Sequence, residues 1–244
     1  MTTLKSKSGK VDFGLKPAWQ LPHGIQACVT TVTEPGNLAA HVADDPANVI
    51  RHRRQLQRGL ELPSAPKWLA QYHSSIAVAA ENNDAGCRAD AIWATQAKSV
   101  CAVLTADCLP ILLCSDNGQT IAAIQAGWRG LAGGIITNTL QQLPQSAECF
   151  RAYIGPAISQ AFFEVGDDVR DAFLTQGIVD SSSFAPRIAG KWLADLPLLA
   201  ERLLTRAGVK EVTLSGLCTY SDERFYSYRR DPNCGRLATL IWKI

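Results

Sequence analysis

Cys108 follows an aspartate in Thr105-Ala-Asp-Cys108, between two apolar runs, and Pro110 forbids a continuous central ladder just beyond it. An acid beside a thiol at a break between strands suits a thiolate nucleophile or a soft metal ligand. Such a thiol has four histidines to draw on as base or co-ligand: His23, His41, His52 and His73. His73, in Gln71-Tyr-His-Ser-Ser75, lies between expected strands, where a hydrogen-bonded structural histidine is the plainer alternative. Gln125-Ala-Gly-Trp-Arg129 sets an amide, an indole and a guanidinium where a strand ends and a helix begins. Trp128 and Arg129 could stack a purine and contact phosphate near the free amides of that helix start. Equally, Gly127 and Gly130 could make the turn while Trp128 packs on the sheet and Arg129 pairs with a carboxylate. Asn37, in a polar run ending at Asp44-Asp45, suits turn and capping chemistry, and Phe225-Tyr-Ser-Tyr-Arg-Arg-Asp231 could grip a ring and an anion or form an edge strand.

The elements that must position these groups follow from periodicity and breakers. A β-branched run predicts a strand over 25–33, ended by Pro35-Gly36, and Asp45-Pro46 caps a helix reaching about Leu60. Further strands are expected at 68–72, 75–80, 90–94, 99–105, 109–115, 120–125, 150–154, 210–215 and 237–243. Helices are expected at 130–142, 166–176 and 195–207, the last opened by Asp195. With strands and helices interleaved and no repeat of fixed period, the fold expected is α/β: residues 1–20 as a polar segment, then a single domain over 21–244 with a mixed sheet and helices on its faces.

Charge excludes some partners. Lys and Arg total 24 against 22 Asp and Glu, a net charge of +2, which supplies no overall attraction to nucleic acid or an anionic membrane. Arg51, Arg53, Arg54 and Arg58 read as the wet face of a helix. Neither an opening apolar stretch nor a run long enough to span a bilayer is present, so a cytoplasmic protein is expected. Its eight cysteines, with no CxxC, are then thiols rather than a disulfide framework, Cys101 and Cys114 serving as packing residues.

Several motifs in one order, Thr105-Ala-Asp-Cys-Leu-Pro110, Ala126-Gly-Trp-Arg-Gly130, Gly155-Pro-Ala-Ile158, Phe163-Glu-Val-Gly166, Cys218-Thr219 and Ser227-Tyr-Arg-Arg-Asp231, resemble the bacterial laccase-domain family. That family is described as polyphenol oxidase, purine nucleoside phosphorylase with adenosine deaminase activity, and peptidoglycan editing factor. The resemblance implies a core similar to the catalytic domain of the cytotoxic necrotizing factor toxins. It also implies a zinc held by a histidine and a cysteine, which match His73 and Cys108, and by a second histidine whose position is taken here by Gln125. An amide oxygen is a poor zinc donor, so zinc is expected to be weak or absent unless His52, standing where the family has an asparagine, restores an imidazole. The segment before Asn37 also lacks the family's arginine and is shortened.

The resemblance implies purine nucleosides such as adenosine, inosine and methylthioadenosine as substrates. Cys108, His73 and Asp107 are then the catalytic candidates, with Asp107 moving the proton in deamination. Asn37, Gln125, Trp128, Arg129 and Arg229 are the substrate-binding candidates. A metal-free alternative makes Cys108 an amidase nucleophile on peptidoglycan precursors, with Gln125 as oxyanion donor. A degenerate member without zinc chemistry is the third possibility. Copper oxidation ranks lowest, since several metals would need many more imidazoles.

Overall fold

In the computed structural model of the protein, residues 13–42 and 44–244 are described, so the first part of the expected polar segment lies outside the described residues. The chain begins with β1 (Ile25–Val29), α1 (Pro46–Gly59), β2 (Ala77–Ala79), β3 (Ala91–Ala94), β4 (Val100–Thr105), β5 (Leu109–Ser115) and β6 (Ile121–Ala126). It continues through α2 (Trp128–Ala132), α3 (Ile135–Gln142), β7 (Phe150–Ile154), β8 (Glu164–Gly166), α4 (Asp167–Leu174), β9 (Phe184–Pro186) and β10 (Lys191–Ala194). The last elements are α5 (Leu196–Arg206), β11 (Glu211–Leu214) and β12 (Leu237–Lys243).

The result is an α/β domain built on a mixed six-stranded sheet, ordered β11-β7-β5-β6-β3-β2, parallel at its two edge pairs and antiparallel between. Period-two alternation assigns its two faces. Ile111 and Leu113 of β5, with Ala122 and Ile124 of β6, pack under Leu131, Ile135, Phe173, Leu199 and Leu204 from the helices. Leu112, Cys114, Ile121 and Ala123 face the other way, onto Cys101 and Val103 of β4 and Ile241 of β12. That second face meets a three-stranded antiparallel sheet, β1-β12-β4, whose outer side (Ala102, Leu104, Leu240) is covered by Leu56 of α1. The layers therefore run helix, sheet, sheet, helices.

Several expected elements take another form. Residues 68–72 make no strand; this stretch is tied down by other means described below. The helix expected over 130–142 breaks at Gly133 and Gly134, where Gly134 adopts a left-handed φ of 83°, giving α2 and α3. Three short strands form a small antiparallel sheet, β8-β10-β9, that periodicity did not reveal. Of the opening segment, Leu15 bridges Val29 and Trp19 is buried between the sheets, stacked on Tyr153. Among the described residues no helix is long and apolar enough to cross a membrane.

Candidate functional site

Strand register brings the chemistry to one end of the sandwich. Leu109 pairs with Ala126 and Ala91 with Ile124, so Cys108 just before β5, Gln125 at the end of β6 and Asp90 just before β3 share that end. Leu237 pairs with Thr105, which adds the segment preceding β12, including Arg236.

His73 arrives from a loop rather than a strand. Gln71 acts as a backbone substitute: its side chain donates to the Leu104 carbonyl and accepts from the Leu104 amide, both at 2.8 Å. The fully buried Asp90 carboxylate accepts from the amides of Tyr72, His73 and Ser74 and from the Ser74 hydroxyl. Held this way, His73 sits at φ 64°, a left-handed conformation costly for a non-glycine residue.

Three side chains converge on Gly127. A Cβ there would lie 2.8 Å from Cys108 Sγ, 3.0 Å from His73 Cδ2 and 3.3 Å from Gln125 Nε2. Glycine is thus required by close approach, and Gly130 likewise, since a Cβ on it would meet the Ser74 carbonyl at 2.8 Å. The Gln125 amide donates to the Cys108 sulfur, while its Oε1 is buried without a hydrogen-bond partner among the described residues. Burial first, then the Asp107 carboxylate, pushes the Cys108 thiol up to about 12; the Gln125 hydrogen bond and Arg236 act in the opposite sense.

Asp107 lines a cavity beside Cys108, with both carboxylate oxygens hydrogen-bonded. Its Oδ1 accepts from the Thr219 hydroxyl at 2.6 Å, and its Oδ2 from the Ser227 hydroxyl at 3.1 Å and the Arg229 amide at 2.7 Å. Both oxygens are engaged in fastening the 219–229 segment beside Cys108. Asn37 is also committed elsewhere: its amide bonds Ala39, Asp44 and the Arg236 backbone, and the residue is buried. The ring of His52 hydrogen-bonds the Asn37 carbonyl at 2.9 Å and lies over Gly36. Among the described residues no metal-suited group of three His, Cys, Asp or Glu side chains brings it together with His73 and Cys108.

The cavity beside Cys108, of about 130 Å³, is lined by Asp107, Trp128, Ile158, Phe163, Tyr228 and Arg229. The Arg229 guanidinium donates to the carbonyls of Phe162 and Glu164 and lies 5.4 Å from the Phe163 ring centroid. Trp128 is half-buried against the helical core, and Arg129 stacks on its indole at 4.3 Å rather than serving the cavity. His41, one of the four histidines available to the thiol, and Arg236, which the sequence did not single out, also belong to this neighbourhood. Burial lowers the His41 imidazole below its ordinary value, with Arg236, Arg53 and His73 adding to the effect, so His41 lies within electrostatic reach of both His73 and Arg236. Arg236 adds a positive charge felt by Cys108 as well.

This donor set does not fit a catalytic zinc. Three protein ligands of imidazole, thiolate or carboxylate type are the rule at such centres. Here a thiol and an imidazole meet an amide that is itself hydrogen-bonded to the thiol.

The arrangement has known relatives. A family model described as multi-copper polyphenol oxidoreductase laccase matches residues 26–244. A protein named purine nucleoside phosphorylase YfiH from Escherichia coli (strain K12) is 40% identical over 238 residues, spanning 93% of this chain and 98% of that protein. Another, named purine nucleoside phosphorylase PA4543, from Pseudomonas aeruginosa, is 42% identical, with 93% and 97% covered. The crystal structure of the Neisseria meningitidis protein NMB0706 superposes with a TM-score of 0.88 at 41% identity, covering 94% of this chain and 98% of that one.

Proposed function

The chain belongs to the multi-copper polyphenol oxidoreductase laccase family, and from that membership and the site geometry we propose that it cleaves purine nucleosides by phosphorolysis. The observation that carries this reading is the cavity beside Cys108, whose aromatic walls suit a flat base and whose lining residues include Arg229. The names of the relatives support it.

In this reading the purine lies against Phe163, Trp128 and Tyr228, and Arg229, already oriented by two carbonyls, holds inorganic phosphate. A phosphate oxygen bonds to the anomeric carbon as the glycosidic bond breaks, and the bond's electron pair leaves with the base. Donors near Cys108 stabilise that departing charge, His73 being the group suited to supply a proton. Asp107 and Gly127 keep this constellation together. No step is assigned to a metal, and adenosine deamination, which needs an activated hydroxide, is therefore not part of the proposal. The amidase reading finds less support, because a thiol raised to about 12 is a weak source of thiolate at neutral pH.

The test is chromatographic. Purified protein incubated with adenosine or inosine should release free base and ribose 1-phosphate only when inorganic phosphate is present. Base release that ignores phosphate, or none at all, would overturn the reading.

A further inference from the structure

Gln125 is the one polar group of the site whose buried atom lacks a partner among the described residues, and it stands at the point where His73 and Cys108 meet. Its position is fixed by the sheet: Gln125 pairs with Pro110 in the register that sets Cys108 opposite Gly127, and its backbone N–H donates to the Asp90 carbonyl at 2.7 Å. Its side chain is 3% exposed and donates to the Cys108 sulfur. The pair His73 and Cys108 therefore supplies two ligands of the kind zinc prefers, and the third place is filled by a neutral amide.

We propose that position 125 sets the metal capacity of this site. With glutamine the site is a hydrogen-bonded thiol and imidazole that retains no catalytic zinc, and a single change to a ligating side chain makes it a three-ligand zinc centre. Among the other candidates for a third ligand, His41 joins no metal-suited group with His73 and Cys108 among the described residues, and the rest are occupied. Asp107 and Asp90 spend their oxygens on hydroxyls and backbone amides, and His52 is bonded to the Asn37 carbonyl. The side chain at 125 converges with both existing ligands on Gly127, and its Oε1 is buried without a partner among the described residues.

The experiment compares the full chain with Gln125→His. Each protein is stripped with chelator, loaded with one equivalent of zinc, challenged with a chromophoric chelator and assayed for bound metal by elemental mass spectrometry. The wild-type protein should surrender its zinc, whereas Gln125→His should keep close to one ion per chain, bound roughly 100-fold tighter or more. Cys108→Ser or His73→Ala in the Gln125→His background should abolish that gain. Should Gln125→His fail to fold, Gln125→Glu, nearly isosteric and carrying a ligating carboxylate, makes the same comparison. Retention of about one zinc by the wild-type protein, or no gain in a folded variant, would overturn the proposal. Metal content is read without turnover, so a failure of the phosphorolysis reading leaves this outcome intact.

Discussion

Asp90 Oδ2 accepts both the amide of Ser74, at 2.6 Å, and its hydroxyl, at 2.7 Å. One fully buried carboxylate thereby holds the loop that carries His73, together with the amides of Tyr72 and His73. In Asp90→Asn an NH2 group replaces an acceptor and faces donors it cannot bond. A loss of about 3 kcal/mol in unfolding free energy is expected, as charge-assisted hydrogen bonds to a buried carboxylate are among the strong ones. Urea denaturation, with hydrogen exchange at 72–74, measures it. A change below about 1 kcal/mol would show that the loop holds its shape without this anchor.

Thiol reactivity should divide the cysteines sharply. Burial works to raise the Cys218 thiol, yet hydrogen bonds from the side chains and amides of Ser159 and Ser221 outweigh it and leave the thiol below its ordinary value. Cys108, pushed up to about 12, is only about one part in 10⁴ thiolate at pH 8. Iodoacetamide added to reduced, chelator-treated protein should label Cys218 well before Cys108, as read by peptide mass mapping. Its rate at Cys108 should climb about tenfold per pH unit. Labelling of Cys108 first would mean an activated nucleophile, the amidase arrangement.

Much of this site was legible because its parts sit at element ends. The break between β4 and β5 announced Asp107 and Cys108, and the junction of β6 with α2 announced Gln125 and Trp128. What periodicity could not supply was register: only the pairing of Leu109 with Ala126 shows that Cys108 and Gly127 touch. The stretch 68–72, which leads into His73, was misread as a strand because its ties are side chains, Gln71 and Asp90 standing in for a neighbouring strand. The bonds of Asp107 run to Thr219, Ser227 and Arg229, contacts between distant parts of the chain that no local pattern encodes. Arg236 escaped notice for the same reason.

The cavity walls should separate binding of the two substrates. Tyr228 is 53% exposed, so Tyr228→Ala should change stability by less than about 0.5 kcal/mol. Loss of one stacking face, worth about 1–3 kcal/mol per base, should raise KM for the nucleoside by roughly 5- to 150-fold. Arg229→Met should instead raise KM for phosphate, since the Arg229 amide keeps its bond to Asp107 whatever the side chain. Steady-state kinetics with each substrate varied in turn decides the matter. Equal shifts in both constants for both variants would place neither residue where it is proposed to act.

Alkaline pH should destabilise the fold through thiols that have no part in the site. Burial raises Cys28 and Cys114 to about 12, and raises Cys101 further still. In the unfolded chain a thiol ionises near about 8.5. A raised folded value means that the stabilising contribution is whole below the unfolded value and is lost as pH climbs toward the folded one. Between pH 7.5 and 9.5 each such thiol should therefore cost about 1.4 kcal/mol of unfolding free energy. Cys114→Ala removes one of them, in a position where the sulfur makes one long contact of 3.3 Å to the Ser115 carbonyl. The variant should start less stable at pH 7.5 but lose about 1.4 kcal/mol less than the wild-type protein on going to pH 9.5. Denaturant titrations at the two pH values, with reductant present, give the difference directly, and identical losses would show that Cys114 ionises no later in the folded chain than in the unfolded one.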